Sequence, residues 1–77
     1  MSELSPSTFK ELKSYVGNSV LIKLKGGKGI KGTLRSFDQH LNLILESAEE
    51  VGPEGNRALG LVLVRGDNVV VVSPGPR

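Results

Sequence analysis

The sequence contains no cysteine and only one histidine, His40, among its 77 residues. Disulfides and a structural metal, two of the usual ways to stabilise a very small domain, are therefore removed. A chain of this length buries only about 60% of the surface that its unfolded form exposes, so its core is thin. Self-association is the remaining source of burial. No apolar run approaches the roughly 20 residues of a membrane span. The start, Met1-Ser2-Glu3-Leu4, is acidic and short rather than basic and then apolar, so no signal peptide is expected. A reducing cytoplasm fits, with no membrane partner. An enzyme is the weakest class. There is no Cys nucleophile, no cluster of metal ligands, and no Ser or carboxylate visibly paired with the lone His. No cofactor or metal is expected.

Charge is present in small excess, +2 at neutral pH, but it is unevenly spread. Lys23, Lys25, Lys28, Lys31 and Arg35 fall in one short stretch, and Glu46, Glu49, Glu50 and Glu54 cluster later. Such a split is compatible with a nucleic acid on one surface and equally with a solvated face.

Hydrophobic spacing divides one domain, residues 1–77, into a helix and five strands. Ser5-Pro6-Ser7 offers an N-cap and a proline at the first helical position, and Phe9, Leu12 and Val16 recur at helical spacing, which predicts a helix over about 6–16 ended by Gly17-Asn18. From Ser19 the period changes to two. Val20, Ile22 and Leu24 alternate with Leu21, Lys23 and Lys25, and Gly26-Gly27-Lys28-Gly29 turns the chain. In the next strand Ile30 and Leu34 share a face with Gly32 between them, and a glycine inside a strand marks a bend or a close backbone approach. A third strand, Leu41 to Glu46, leads to a polar loop containing Gly52-Pro53-Glu54-Gly55-Asn56. Leu59 to Val64 and Val69 to Val72 follow, separated by Arg65-Gly66-Asp67-Asn68, which reads as a hairpin whose Gly and Asn take positive φ.

Those last two strands are apolar on both faces, whereas an antiparallel strand with one wet face alternates. A domain this small cannot cover both. Their second faces or edges are expected to meet a neighbouring copy, strand four of one pairing with strand five of the next, a head-to-tail contact that closes into a ring.

Two separated segments carry a family resemblance. Gly29-Ile30-Lys31-Gly32-Thr33-Leu34 with Phe37-Asp38-Gln39-His40-Leu41-Asn42-Leu43-Ile44-Leu45 resembles the first Sm motif, and Leu63-Val64-Arg65-Gly66-Asp67-Asn68-Val69 resembles the second. The chain is thus similar to the Sm-like family, and most similar to its archaeal members. Leu41 stands where the family commonly has Met, an apolar swap that changes little. The resemblance gives the first motif as about 19–50 and the second as about 58–73, and the tail over 74–77, Pro74-Gly75-Pro76-Arg77, is expected to fray as a chain terminus. It implies a strongly bent five-stranded antiparallel barrel behind an N-terminal helix, in a homomeric ring usually of seven and sometimes of six. It further implies pockets for single-stranded, uridine-rich RNA around a pore, a role in RNA processing or ribonucleoprotein assembly, and RNA-processing proteins as further partners. By that carry-over His40 and Arg65 flank the base, and Asn42 and Asp67 complete its recognition.

The residue chemistry agrees with this. Unstacked bases lie on rings or guanidinium planes and are read at their edges. Such stacking is worth about 1–3 kcal/mol per base and does not discriminate, so selectivity needs hydrogen bonds. The Asn42 amide matches uracil in one orientation and cytosine in the other, and Asp67 is expected to accept its spare N–H and set that orientation. Asp38 and Gly66 read as supporting residues of the loops, Asp38 through an Asx-type bond to nearby backbone. The Gly26–Gly29 stretch joins strands and reads as a tight turn rather than a phosphate clamp. The alternative to an RNA-binding ring is a ring-forming protein scaffold without RNA specificity, which has no need for this quartet.

Overall fold

A computed structural model describes residues 6–75 of the chain. One helix, α1 (Pro6–Lys13), precedes five strands: β1 (Ser19–Leu24), β2 (Gly29–Phe37), β3 (Leu43–Gly52), β4 (Gly55–Val64) and β5 (Val69–Pro74). They form one sheet in the order β4-β3-β2-β1-β5, with every neighbouring pair antiparallel. The fold is mainly β, an N-terminal helix followed by a bent five-stranded sheet.

The period-two alternation sets the inner face. Val20 and Ile22 of β1, Leu34 of β2, Leu43, Leu45 and Ala48 of β3 and Val64 of β4 make one buried cluster. Leu12 brings α1 into the buried set. The sheet bends along a line through three strands. At Gly32 a Cβ would lie 3.0 Å from the Glu46 carbonyl oxygen and 3.1 Å from Ala48 Cα, so the strands close up where β2 has no side chain. Beside it Ser47 has φ 51° and Gly60 has φ 81°, at register shifts in β3 and β4. Such bulges let a sheet curl.

The ends of the elements differ from the sequence reading, and β3 begins at Leu43 rather than Leu41. The helix stops at Lys13, and i to i−3 bonds carry the chain through Ser14, Tyr15 and Val16 to Gly17, whose φ of 88° ends the coil. The N-cap expected at Ser5 lies outside the described residues. The polar loop after β3 shrinks to the turn Pro53-Glu54, because Asn56 and Arg57 of β4 pair with the acidic side of β3: Asn56 Nδ2 donates to Glu49 Oε1 at 3.0 Å, and Arg57 Nε lies 3.8 Å from Glu50 Oε1. Residues 65–68 are not a hairpin. Their strands lie at opposite edges of the sheet, and a 3-10 turn, Gly66–Asn68, crosses between them without positive φ at Gly66 or Asn68. Pro74, given to the tail on sequence, belongs to β5, and the Gly75 N–H donates to the Ser19 carbonyl oxygen at 2.9 Å; residues 76 and 77 lie outside the described part.

The two charge clusters are brought face to face. The register of β2 against β3 sets Lys31 opposite Glu49, and Lys31 Nζ lies 4.0 Å from Glu49 Oε1. Lys28 pairs with Glu50 at 3.6 Å and Arg35 with Glu46 at 3.3 Å. The apparent basic stretch is therefore largely neutralised on the sheet surface, and of its members Lys23 and Lys25 have no ion pair among the described residues.

At the two edges of the sheet β4 and β5 each leave apolar side chains bare. Leu61 and Leu63 are 63% and 66% exposed, and Val70 and Val71 are 61% and 44%. No helix among the described residues is long and apolar enough to cross a membrane.

Candidate nucleic-acid interface

The loop between β2 and β3 is built around one carboxylate. Asp38 Oδ1 accepts the backbone N–H of His40 at 2.9 Å and that of Asn42 at 3.0 Å, while Oδ2 accepts Asn42 Nδ2 at 3.0 Å. The Asp38 N–H donates to the Asn42 carbonyl oxygen and the Leu41 N–H to that of Asp38, each at 3.1 Å. Leu41 is thereby held at φ 64°, a left-handed conformation that a leucine adopts only when its surroundings dictate it. The N–H bonds that converge on Asp38 favour its ionised form. Its carboxyl is held below the ordinary carboxylate range, first by the Asn42 side chain and then by backbone N–H groups.

The connector between β4 and β5 supplies the other half. The Gly66 N–H donates to Asn42 Oδ1 at 2.8 Å and so ties the connector to the loop. This approach requires glycine, because a Cβ at position 66 would overlap the His40 carbonyl oxygen and lie 2.9 Å from Leu41 C. The Asn68 N–H closes the 3-10 turn on the Arg65 carbonyl oxygen at 3.0 Å, and the N–H of Lys25, the residue after β1, donates to the Asn68 carbonyl oxygen at 2.9 Å. Beside this turn Arg65 Nη2 lies 3.7 Å from Asp67 Oδ2.

His40, Asn42, Arg65 and Asp67 line a single open cleft of about 290 Å³. Asn42 is half-buried at its base, and the other three are exposed. Asn42 and Arg65 lie one residue outside β3 and β4, not within them. The role assigned to Asp67 on sequence is corrected: Asp38, not Asp67, accepts the N–H of Asn42 Nδ2, because Asp67 faces Arg65 while Asp38 sits in the amide's own loop. The orientation of the amide is nevertheless fixed, since a donor on one side and a carboxylate on the other admit only one placement of oxygen and nitrogen. One Oδ1 lone pair and one Nδ2–H remain, an acceptor beside a donor. Sequence reasoning gave Asp38 and Gly66 loop-supporting places but missed that both grip this side chain. The four-residue offset from Asp38 to Asn42, inside a turn, was the available signal.

The LSM domain model matches residues 10–74. An snRNP Sm-like protein of Aeropyrum pernix is 55% identical over 67 residues, which cover 87% of each chain. Among solved structures, the heptameric Sm protein of P. aerophilum superposes with a TM-score of 0.88 at 42% identity, covering 96% of this chain and all of that one. The Sm protein of Pyrococcus abyssii, solved in complex with a uridine heptamer, superposes with a TM-score of 0.83 at 32% identity, over 94% of this chain and 100% of its own.

Proposed function

The chain belongs to the LSM domain family, and on that premise we propose that it forms a homo-oligomeric ring, preferentially a heptamer, that binds single-stranded uridine-rich RNA in RNA processing or ribonucleoprotein assembly. The observation that carries this reading is the cleft of His40, Asn42, Arg65 and Asp67 with its pre-set amide. His40 and Arg65 offer two planes for a base, and the free acceptor and donor of Asn42 meet the N3–H and a carbonyl of uracil. With the base fixed between the planes, cytosine would present a donor and an acceptor in the reverse order. The pocket is thus selective without needing to reorganise.

Assembly is supported by the edges of the sheet. Among the described residues β4 pairs with β3 and β5 with β1, which leaves one free edge on each, flanked by bare Leu61, Leu63, Val70 and Val71. Pairing β4 of one copy with β5 of the next satisfies both edges and covers that apolar surface. A ring then repeats the pocket, so that after one base binds the next is held at high effective concentration.

Fluorescence-anisotropy titration with labelled oligo-uridine and oligo-cytidine, at two salt concentrations, tests the reading alongside light scattering on the eluting protein. The expected result is a ring that prefers oligo-uridine, with binding lost in Asn42→Ala. Binding that ignores the base and survives Asn42→Ala would reduce the contact to phosphate attraction. A ring that binds neither ligand would make the protein a scaffold.

A further inference from the structure

We infer that the cleft between the turn joining β1 to β2 and the turn joining β3 to β4 binds a doubly charged phosphate, free or as a terminal monoester, through Lys28 and Arg57. None of its residues belongs to the cleft of His40, Asn42, Arg65 and Asp67, so the inference stands apart from the uridine reading. Gly29 pairs with Val51, which sets the two turns side by side around a volume of about 290 Å³. Glu50 Oε2 lies 3.6 Å from Lys28 Nζ, and Glu50 Oε1 lies 3.8 Å from Arg57 Nε. Both gaps are longer than a hydrogen bond, so the carboxylate locks neither cation. Two positive heads on one carboxylate leave one positive charge in excess. The neighbouring pair of Lys31 and Glu49 is balanced and has no such excess. Glu50 is the more enclosed member, 29% exposed against 73% and 77% for Lys28 and Arg57, so the cations stand on the solvent side. Glu54, at the tip of its turn, does not line the cleft.

Directional donors accompany the charge. The N–H groups of Gly26 and Lys28 have no hydrogen-bond partner among the described residues. Positive φ accounts for glycine at 26 and 27, and the same choice leaves that wall without side chains, since a Cβ at either position would meet nothing within 4 Å. A phosphate monoester brings roughly 1.5 to 2 negative charges at neutral pH and three acceptor oxygens. A guanidinium beside an ammonium matches that charge and supplies several N–H donors, whereas chloride brings one charge and no directional acceptor. The site also stays open on assembly. β4 has ten residues and β5 six. A neighbour's β5 laid over the bare Leu61 and Leu63 occupies the second half of β4, so Arg57 and the turn before it remain outside the contact.

The test is a titration of the full chain with inorganic phosphate at neutral pH, with ionic strength held constant by chloride, followed through the backbone amide signals of Gly26, Gly27 and Lys28 in NMR. The expected result is a saturating shift at these residues. Affinity falls about fivefold or more in Lys28→Ala and in Arg57→Ala, the loss of one charge-assisted contact. Both cations are exposed, so their removal leaves the fold intact. Glu50→Gln is the sharper variant. Removing the carboxylate frees both cations and raises the excess charge, so phosphate binds about three- to tenfold tighter, with the mass of the assembly checked by light scattering. The source of the group is read from the anisotropy of oligo-uridine with and without a terminal phosphate, in an Asn42→Ala background that silences the uridine cleft. A preference for the phosphorylated strand that Arg57→Ala removes assigns the site to RNA ends, and equal binding of the two strands assigns it to small phosphates. The inference is overturned if the shifts do not saturate and follow ionic strength alone, which reduces the contact to screening. It is equally overturned if Arg57→Ala leaves the titration unchanged, or if Glu50→Gln abolishes the binding.

Discussion

On the outer face of β2 and β3, charges meet opposite charges across the strands; at the loop end of the sheet, the Asp38 carboxylate meets backbone and amide N–H groups instead. The first arrangement spans Lys28, Lys31, Arg35, Glu46, Glu49 and Glu50, all at the surface, and it cancels charge without fixing geometry. The second uses one acidic side chain to hold three donors and, through Asn42, a fourth. Ion pairs on long exposed side chains are soft, while short side chains bonded to backbone are stiff. Clustered charge in the sequence therefore marks the less specific surface, and a single aspartate between uncharged neighbours marks the more specific one.

The sharpest way to break the stiff region is Gly66→Ala. The added Cβ would overlap the His40 carbonyl oxygen, a backbone atom that cannot give way as a flexible side chain would. The connector must lift from the loop, which removes the Gly66–Asn42 bond and opens the cleft. Loss of about 2–4 kcal/mol of stability is expected from the forced backbone shift, with RNA binding abolished. Chemical denaturation and anisotropy measure the two effects. A stable variant that still discriminates uridine would show that the connector is not tied to the loop.

Much of this contrast was legible in the sequence. The alternation of Val20 and Ile22, the lone Gly32 and the two apolar strands fix the sheet, its bend and its bare edges, because a period of two and a missing Cβ act locally. The partnerships were harder to read. Arg65-Gly66-Asp67-Asn68 has the composition of a hairpin, and nothing local states that β4 and β5 lie at opposite edges. Gly66 likewise reads as a positive-φ turn residue, whereas its need is for space against His40, a contact 26 positions away in sequence. Asp67 lies in the same position: a carboxylate near an amide is plausible from either motif, and only the folded distances assign Asn42 to Asp38 and Arg65 to Asp67.

A smaller effect follows from acid. The folded carboxyl of Asp38 is lowered, so its contribution is fully present above the unfolded value of about 3.9 and is lost as pH falls through the lower folded value. Between neutral pH and about 5 the loop is expected to be unchanged. Below about pH 4 the proton competes with the N–H donors, beginning with Asn42 Nδ2. The side-chain amide signals of Asn42 and the backbone amides of His40 and Asn42, followed by NMR, should move together with a midpoint below the ordinary carboxylate value. A midpoint above it would mean that these bonds do not favour the ionised form.

The smallest effect belongs to the soft region. Lys31 Nζ and Glu49 Oε1 are 4.0 Å apart, with side chains 35% and 40% exposed, so solvent and salt screen most of their attraction. Replacing both, Lys31→Ala with Glu49→Ala, should alter stability by less than about 1 kcal/mol and leave the net charge unchanged. Oligo-uridine affinity and its salt dependence should also stay at the wild-type values, since the paired charges offer a phosphate little net field. Lys31→Ala alone is the stricter comparison. It leaves Glu49 unpaired with Lys31 and adds one net negative charge, yet the face lies outside the cleft of His40, Asn42, Arg65 and Asp67. If that single change lowers affinity for oligo-uridine and oligo-cytidine equally and flattens the salt slope by about one counterion per contact, RNA touches the β2–β3 face as well, and the neutralised surface takes part in binding after all.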